Sequence, residues 1–152
     1  MRVNILHKEL FRKTLNQVLP ELEIHTFSGI TSDSRKVQQG DIFLALKGES
    51  TDGHHYIEQA QNAGAVICIV EKELNKISSA IKVSSTRKFL NDTASAYRKN
   101  LSCPLIGITG TNGKTTTKDL LDHVLSADRK VMSTQGNFNS TTGVPMSIFE
   151  FG

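Results

Sequence analysis

Leu6, Leu10, Phe11, Leu15, Val18 and Leu19 recur at helical spacing, and Pro20 closes the run, which predicts an amphipathic helix ending before residue 20. Phe27 to Arg35 reads as a short strand running into a polar turn, Thr31-Ser32-Asp33-Ser34-Arg35. Asp41 to Leu46 predicts a buried strand introduced by a turn at Gly40. Asp52 is placed to cap a helix that carries Tyr56, Ile57, Ala60 and Ala63 on one face, with Gly64 at its carboxyl end. Ala65 to Val70 is a β-branched apolar run of the kind buried on both faces of a sheet. Ile81 to Ser84 gives another short strand, and Thr86 to Lys99 a helix turning Phe89, Leu90, Ala94 and Tyr97 inward. Strands alternating with helices over these hundred residues predict an α/β unit.

A second unit opens near Ser102. Leu105 to Thr109 reads as a strand, followed by a glycine-rich turn and a helix with Leu120, Leu121, Val124 and Leu125 inward. Lys130 to Ser133 is the next expected strand, and Val144 to Phe151 starts a further helix. One βαβ unit plus a helical stub cannot cover both faces of a sheet. The expected organisation is therefore a domain over 1–101 followed by the start of another, incomplete over 102–152, as in an amino-terminal piece of a longer protein.

Composition narrows the class without naming it. The chain has 152 residues, 38% hydrophobic and 22% charged, as in an ordinary globular protein. A net charge of +3, from 18 Lys and Arg against 15 Asp and Glu, carries no clustered basic face and argues against nucleic acid. No apolar run approaches the roughly 18 residues of a membrane span, and Met1 to Leu10 lacks the apolar core of a signal peptide. Cys68 and Cys103 both sit in apolar runs, so they are read as core residues and not as a disulfide or metal pair. A cytoplasmic protein with reduced thiols is expected.

The strongest chemical signal is Gly107-Ile108-Thr109-Gly110-Thr111-Asn112-Gly113-Lys114-Thr115-Thr116-Thr117, set between an expected strand and an expected helix. Glycines let backbone N–H groups turn toward phosphate oxygens, and the helix adds its positive amino end. A lysine at this place reaches the β- and γ-phosphates, and the hydroxyl after it binds Mg²⁺. The general phosphate-loop pattern has glycine five places before the Gly-Lys pair. Ile108 stands there, flanked by Gly107 and Gly110, so this is a variant loop.

That variant resembles the ATP loop of the Mur ligases, the ATP-dependent peptide ligases that build the peptidoglycan precursor of the bacterial cell wall. Related folylpolyglutamate synthases carry a similar loop without the run of threonines. Thr31 to Val37, Gly40 to Gly48 and Asp52-Gly53-His54 resemble the family's uridine-nucleotide-binding amino-terminal domain. The resemblance implies a small UDP-binding α/β domain followed by the first βαβ unit of a P-loop ATPase domain, with ATP and Mg²⁺ as cofactors. Carried over residue by residue, Gly110, Thr111, Asn112, Gly113, Lys114, Thr115 and Thr116 would hold the ATP phosphates. Lys114 and Thr115 would be catalytic, with Thr115 on Mg²⁺. Ser32, Ser34, Arg35, Lys47, Asp52, Gly53, His54, Asn137 and Asn139 would contact the UDP-muramoyl peptide.

Thr134 to Asn139, followed by Gly143-Val144-Pro145, is similar to the loop of the family branch that joins D-alanyl-D-alanine to UDP-N-acetylmuramoyl tripeptide through an acyl phosphate. Those two small molecules are the partners so implied, with no nucleic acid, no membrane insertion and a monomeric protein. The sequence departs from the family pattern in places: Ser140 replaces a second asparagine, and Ser85-Thr86 stand where an aspartate is usual. Most of the ATPase domain and the carboxy-terminal amino-acid-binding domain lie outside these residues, so the 152-residue chain alone is expected to be catalytically silent. Two rival readings stand: the relative that adds the third amino acid, and a sugar-nucleotide-binding module with no catalytic role.

The individual residues also have plainer readings. Ser32, Ser34 and Arg35 form either a cap-and-turn cluster or a contact to uracil or diphosphate. Lys47, Gly48, Asp52, Gly53 and His54 divide between helix capping and nucleotide contact. Asn137 and Asn139 either stabilise a polar turn or hydrogen-bond the sugar-peptide substrate. The remaining histidines, His7, His25 and His123, read as surface residues, and the adjacent pair His54 and His55 makes a poor metal site.

Overall fold

A computed structural model describes residues 1–22, 24–48, 51–73, 79–134 and 140–151. Five strands form one sheet in the order β1 to β5: Arg2–Asn4, Gly29–Thr31, Ile42–Leu44, Ile67–Val70 and Ala80–Lys82. β2 to β5 run parallel, pairing Ile30 with Ile42, Phe43 with Cys68 and Ile69 with Ile81. β1 lies antiparallel at the edge, with Val3 opposite Ile30.

Side chains alternate across the strands and so divide the core between two faces. Ile42, Leu44 and Ile69 face α1 (Lys8–Val18) and α3 (Thr86–Lys99), where Phe11, Leu15, Phe89, Leu90, Ala94 and Tyr97 are buried. On the opposite face Phe43, Ala45, Cys68 and Val70 pack against Ile57 and Ala60 of α2 (Ile57–Asn62). The α/β class and the helix over 86–99 match the apolar pattern. Ser85 explains the start of that helix, because its hydroxyl accepts from Lys88 N–H as an N-cap. Asp52 caps as expected, but the turn it opens is 3₁₀ over Gly53–Tyr56 before α2 begins. Gly53 has no room for a side chain there: an added Cβ would lie 2.9 Å from the Leu46 nitrogen and oxygen.

β1 was not legible in the sequence. Its hold on the sheet includes Arg2, whose Nε and Nη2 donate to the fully buried Asp41 carboxylate at 2.7 and 2.9 Å. Gln38 N–H adds a third donor to that carboxylate at 2.9 Å.

The second unit departs further from expectation. Helix α4 (Lys114–Leu125) forms, but residues 105–109 and 130–133 are not strands. A strand exists through backbone pairing, and among the described residues no neighbouring strand offers it. Of the four side chains expected to face inward, Leu120 is 60% and Val124 64% exposed while Leu121 and Leu125 are half-buried, and Ile106 of the expected strand is 60% exposed. Cys68 is buried as read, whereas Cys103 is exposed at the start of this unpaired stretch and is not a core residue.

Helix α5 (Gly143–Ile148) turns back onto the first unit. Phe149 stands edge-on to Phe11 and Tyr97, at ring separations of 5.0 and 5.5 Å. The Tyr97 hydroxyl donates to the Phe151 carbonyl at 3.0 Å, and Met146 is fully buried in the same cluster.

Candidate functional site

Ligands of open α/β sheets bind beyond the carboxyl ends of the parallel strands, because the chain crosses over there and leaves loops free to diverge. At that edge a cavity of about 330 Å³ lies between Ser32 after β2, Leu46 and Lys47 after β3, and Thr142 before α5. Arg87, in the first turn of α3, Thr51 and Ser140 add to its polar wall, and its lining contains no carboxylate among the described residues. Two cationic side chains and several hydroxyls without an acid make a site suited to an anion.

The loop around Lys47 is fixed by its own backbone. Lys47 bridges to Asp52, Gly48 N–H donates to Thr51 at 2.9 Å, and Gly53 N–H donates to Leu46 at 2.9 Å. Asp52 and His54 are committed to each other inside this turn. The Asp52 carboxylate accepts from His54 N–H at 3.0 Å and from His54 Nδ1 at 2.5 Å. Nε2 of the same ring accepts from Glu71 N–H at 2.9 Å, which assigns the proton to Nδ1. The backbone donor first, then the ring, hold the Asp52 carboxyl well below the usual carboxylate range.

The 31–35 turn divides as well. Ser34 is buried against α2 and donates to Gln59 Oε1 at 2.8 Å, away from the cavity wall. Arg35 is 79% exposed and forks onto Asp33, with Nε at 2.8 Å and Nη2 at 3.0 Å. That fork is the main reason the Asp33 carboxyl lies below its ordinary range. Of the nine residues set out for the UDP-muramoyl peptide, the cavity brings together Ser32 and Lys47. Asp52, Gly53 and His54 form the turn behind Lys47, and Asn137 and Asn139 lie outside the described residues. Arg87, Thr51 and Thr142 had no motif to announce them. Arg87 and Thr142 meet through the fold, since α3 begins and α5 approaches at the same sheet edge, and Thr51 joins them from the local turn that carries Lys47.

The glycine loop is a separate, exposed feature. Gly113 takes φ +77°, a left-handed conformation that favours glycine, and from there the chain enters α4. Lys114 Nζ folds back over the loop to the carbonyl of Gly110, and reaches that of Thr111 at 3.4 Å. An ammonium over the loop, hydroxyls at Thr115 and Thr116, and the amino end of a 12-residue helix form a donor set that fits nucleotide phosphates and Mg²⁺. Lys118, donating to Thr134 at 3.0 Å, and Ser133, donating to Asp122 at 2.8 Å, tie the far side of α4 to 133–134.

Residues 26–102 match the model of the Mur ligase family, catalytic domain, and residues 108–152 match that of the Mur ligase middle domain. The chain belongs to the Mur ligase family. Among curated Mur ligases, the UDP-N-acetylmuramoyl-tripeptide–D-alanyl-D-alanine ligase of Bacillus subtilis is 38% identical, covering 85% of this chain and 29% of its own length. The UDP-N-acetylmuramoyl-L-alanyl-D-glutamate–2,6-diaminopimelate ligase of Clostridium botulinum is 39% identical, covering 82% and 26%. A crystal structure of MurF from Acinetobacter baumannii superposes with a TM-score of 0.80 at 34% identity, covering 92% of this chain and 32% of that one. The MurF ligase of Thermotoga maritima in complex with ADP gives 0.73 at 37% identity, covering 79% and 28%. The chain thus spans roughly a third or less of the Mur ligases it resembles. Among its described residues no helix is long and apolar enough to cross a membrane, and no cluster of three metal-ligating side chains occurs.

Proposed function

We propose that the chain is the amino-terminal part of a cytoplasmic, monomeric Mur ligase that joins D-alanyl-D-alanine to UDP-N-acetylmuramoyl tripeptide. In this reading residues 1–101 supply most of the uridine-nucleotide site, with Thr142 approaching it from residues 102–152, which begin the ATP-binding domain. The observation that carries the first assignment is the acid-free cavity at the sheet edge. Lys47 and Arg87 supply charge for a diphosphate there, and Ser32, Thr51 and Thr142 supply hydroxyls. Asp52 and His54 act indirectly, by holding the turn from which Lys47 projects. Ser34 and Arg35 fix the adjoining turn, and Asn137 and Asn139 are assigned to the sugar-peptide.

Gly110 to Thr116 are assigned to the ATP phosphates. A carboxylate does not condense with an amine unaided, because oxide is too poor a leaving group. Transfer of the γ-phosphoryl group of ATP to the carboxylate would release ADP and give an acyl phosphate; the amine of D-alanyl-D-alanine would then attack its carbonyl carbon, expel phosphate and lose a proton, leaving the amide. Lys114 would neutralise charge on the transferring group, the Thr115 hydroxyl would hold Mg²⁺, and the loop N–H groups would fix geometry. The likeness to an ADP-bound MurF supports this assignment.

The identity to the diaminopimelate ligase favours a second reading, a ligase that adds the third amino acid. Calorimetric titration of the chain with UDP, with the muramoyl tripeptide nucleotide and with the dipeptide nucleotide separates the two. Saturable binding of UDP and a preference for the tripeptide nucleotide are expected. Preference for the dipeptide form would select the rival, and absence of uridine binding in a cooperatively folded sample would reject both. The chain alone is expected to release no phosphate in a coupled assay.

A further inference from the structure

Arg87 belongs to none of the sequence motifs, yet its guanidinium joins the two walls of the cavity. Nη1 donates to Thr141 Oγ1 at 3.0 Å and Nη2 to the Lys47 carbonyl at 3.4 Å, across 54 and 40 residues of sequence. The base of the side chain is anchored independently. Thr86, its neighbour, donates N–H and hydroxyl to Glu71 Oε1 at 2.8 and 2.9 Å, and the hydroxyl also reaches the Ala45 carbonyl at 3.2 Å. Each wall is otherwise closed on itself: Lys47 to Asp52 by its bridge, and 140–143 by Gly143 N–H donating to Ser140 Oγ at 2.9 Å. Among the described residues, the side-chain hydrogen bond from Arg87 is the one that ties 140–142 to the first unit.

The geometry points to Arg87 as a positioning residue that clamps 140–142 against the Lys47 loop, so that a phosphate-bearing ligand meets Lys47 and Thr142 at a fixed separation. The inference rests on the uridine-nucleotide reading of the cavity. A planar fork can straddle two acceptors on facing walls, whereas the compact ammonium of lysine keeps the charge and loses the fork. The clamp is thereby distinguishable from a simple cation.

The test compares the chain with Arg87→Gln, Arg87→Lys and Thr141→Val by hydrogen exchange without ligand, by UDP titration and by thermal unfolding. The clamp requires faster exchange of the Gly143 amide in all three variants. It also requires UDP affinity about tenfold weaker in both Arg87 variants, the scale of one hydrogen bond. Unfolding temperatures should stay near the parent's, because the side chain is at the surface. Parent-like exchange and affinity in Arg87→Lys would overturn the clamp in favour of charge alone, and unchanged exchange in Thr141→Val would overturn it outright. A parent chain that binds no UDP would sink the nucleotide reading, while the exchange experiment would still decide the clamp.

Discussion

Replacing Phe149 with alanine tests whether the second unit is built into the first. Phe149 is fully buried, edge-on to Phe11 at 5.0 Å and to Tyr97 at 5.5 Å with both interplanar angles at 86°. Removing a buried phenyl ring costs about 3–5 kcal/mol in lost transfer energy and residual cavity. Two edge-to-face contacts, worth about 0.5–1.5 kcal/mol each, place this site in the upper part of that range. Domains are stable by only about 5–15 kcal/mol, so the variant should remain folded but close to its limit. Urea unfolding followed by circular dichroism reads the effect: with a slope of about 1–3 kcal/mol per molar, the midpoint should fall by more than about 1 M. Leu120→Ala is the matched control, since Leu120 is 60% exposed on α4 and should change stability by less than about 0.5 kcal/mol. A loss below about 1 kcal/mol for Phe149→Ala, or a loss equal to the control's, would refute the placement of the 149 ring in the first unit's core.

Further outcomes follow from the same contacts. Arg2→Met leaves the buried Asp41 carboxylate without its cation and should cost about 3–5 kcal/mol, seen as a lowered unfolding temperature at neutral pH. The carboxyls of Asp33, Asp52 and Glu71 all lie below their ordinary values, the last chiefly because Thr86 N–H donates to it. Groups of this kind stabilise the fold above the usual carboxylate range, and that stability is lost as pH falls through their depressed values. Asp52→Asn should therefore be less stable than the parent at pH 7 and show a shallower decline below about pH 4; a parallel decline would refute the Asp52–His54 pairing. The Cys68 thiol, pushed up to about 11 by burial, should resist alkylation until unfolding, while Cys103 reacts in the native protein. Mass spectrometry of the labelled chain distinguishes the two sites.

Local chemistry was readable where residues act on their near neighbours. The 86–99 helix was visible because Phe89, Leu90, Ala94 and Tyr97 repeat on one face, and Asp52 was visible as a cap because capping spans two residues. β1 was not, since three residues with a charged Arg2 carry no pattern of their own and are held by their pairing with β2 and by Asp41, 39 positions from Arg2. The expected strand over 105–109 had the right apolar pattern and still failed to form, because a strand needs a partner that no described residue provides. The site shows the same division. The glycine loop announces itself in consecutive residues, and Thr51 sits in the same local turn as Lys47, whereas Arg87 and Thr142 become neighbours of Ser32 and Lys47 only after the sheet aligns its carboxyl ends. Lys47 was legible as a candidate from its motif, and the structure places it in the cavity wall; that Asp52 and His54 spend their polar atoms on one another required the geometry.

The most direct test of the uridine assignment is a two-dimensional NMR titration of the ¹⁵N-labelled chain with UDP. Saturable shifts at Ser32, Lys47, Gly48, Thr51 and Thr142, with little movement over Asn112 to Thr115, are expected. Shifts confined to the glycine loop, or none at the sheet edge at ligand excess, would contradict it.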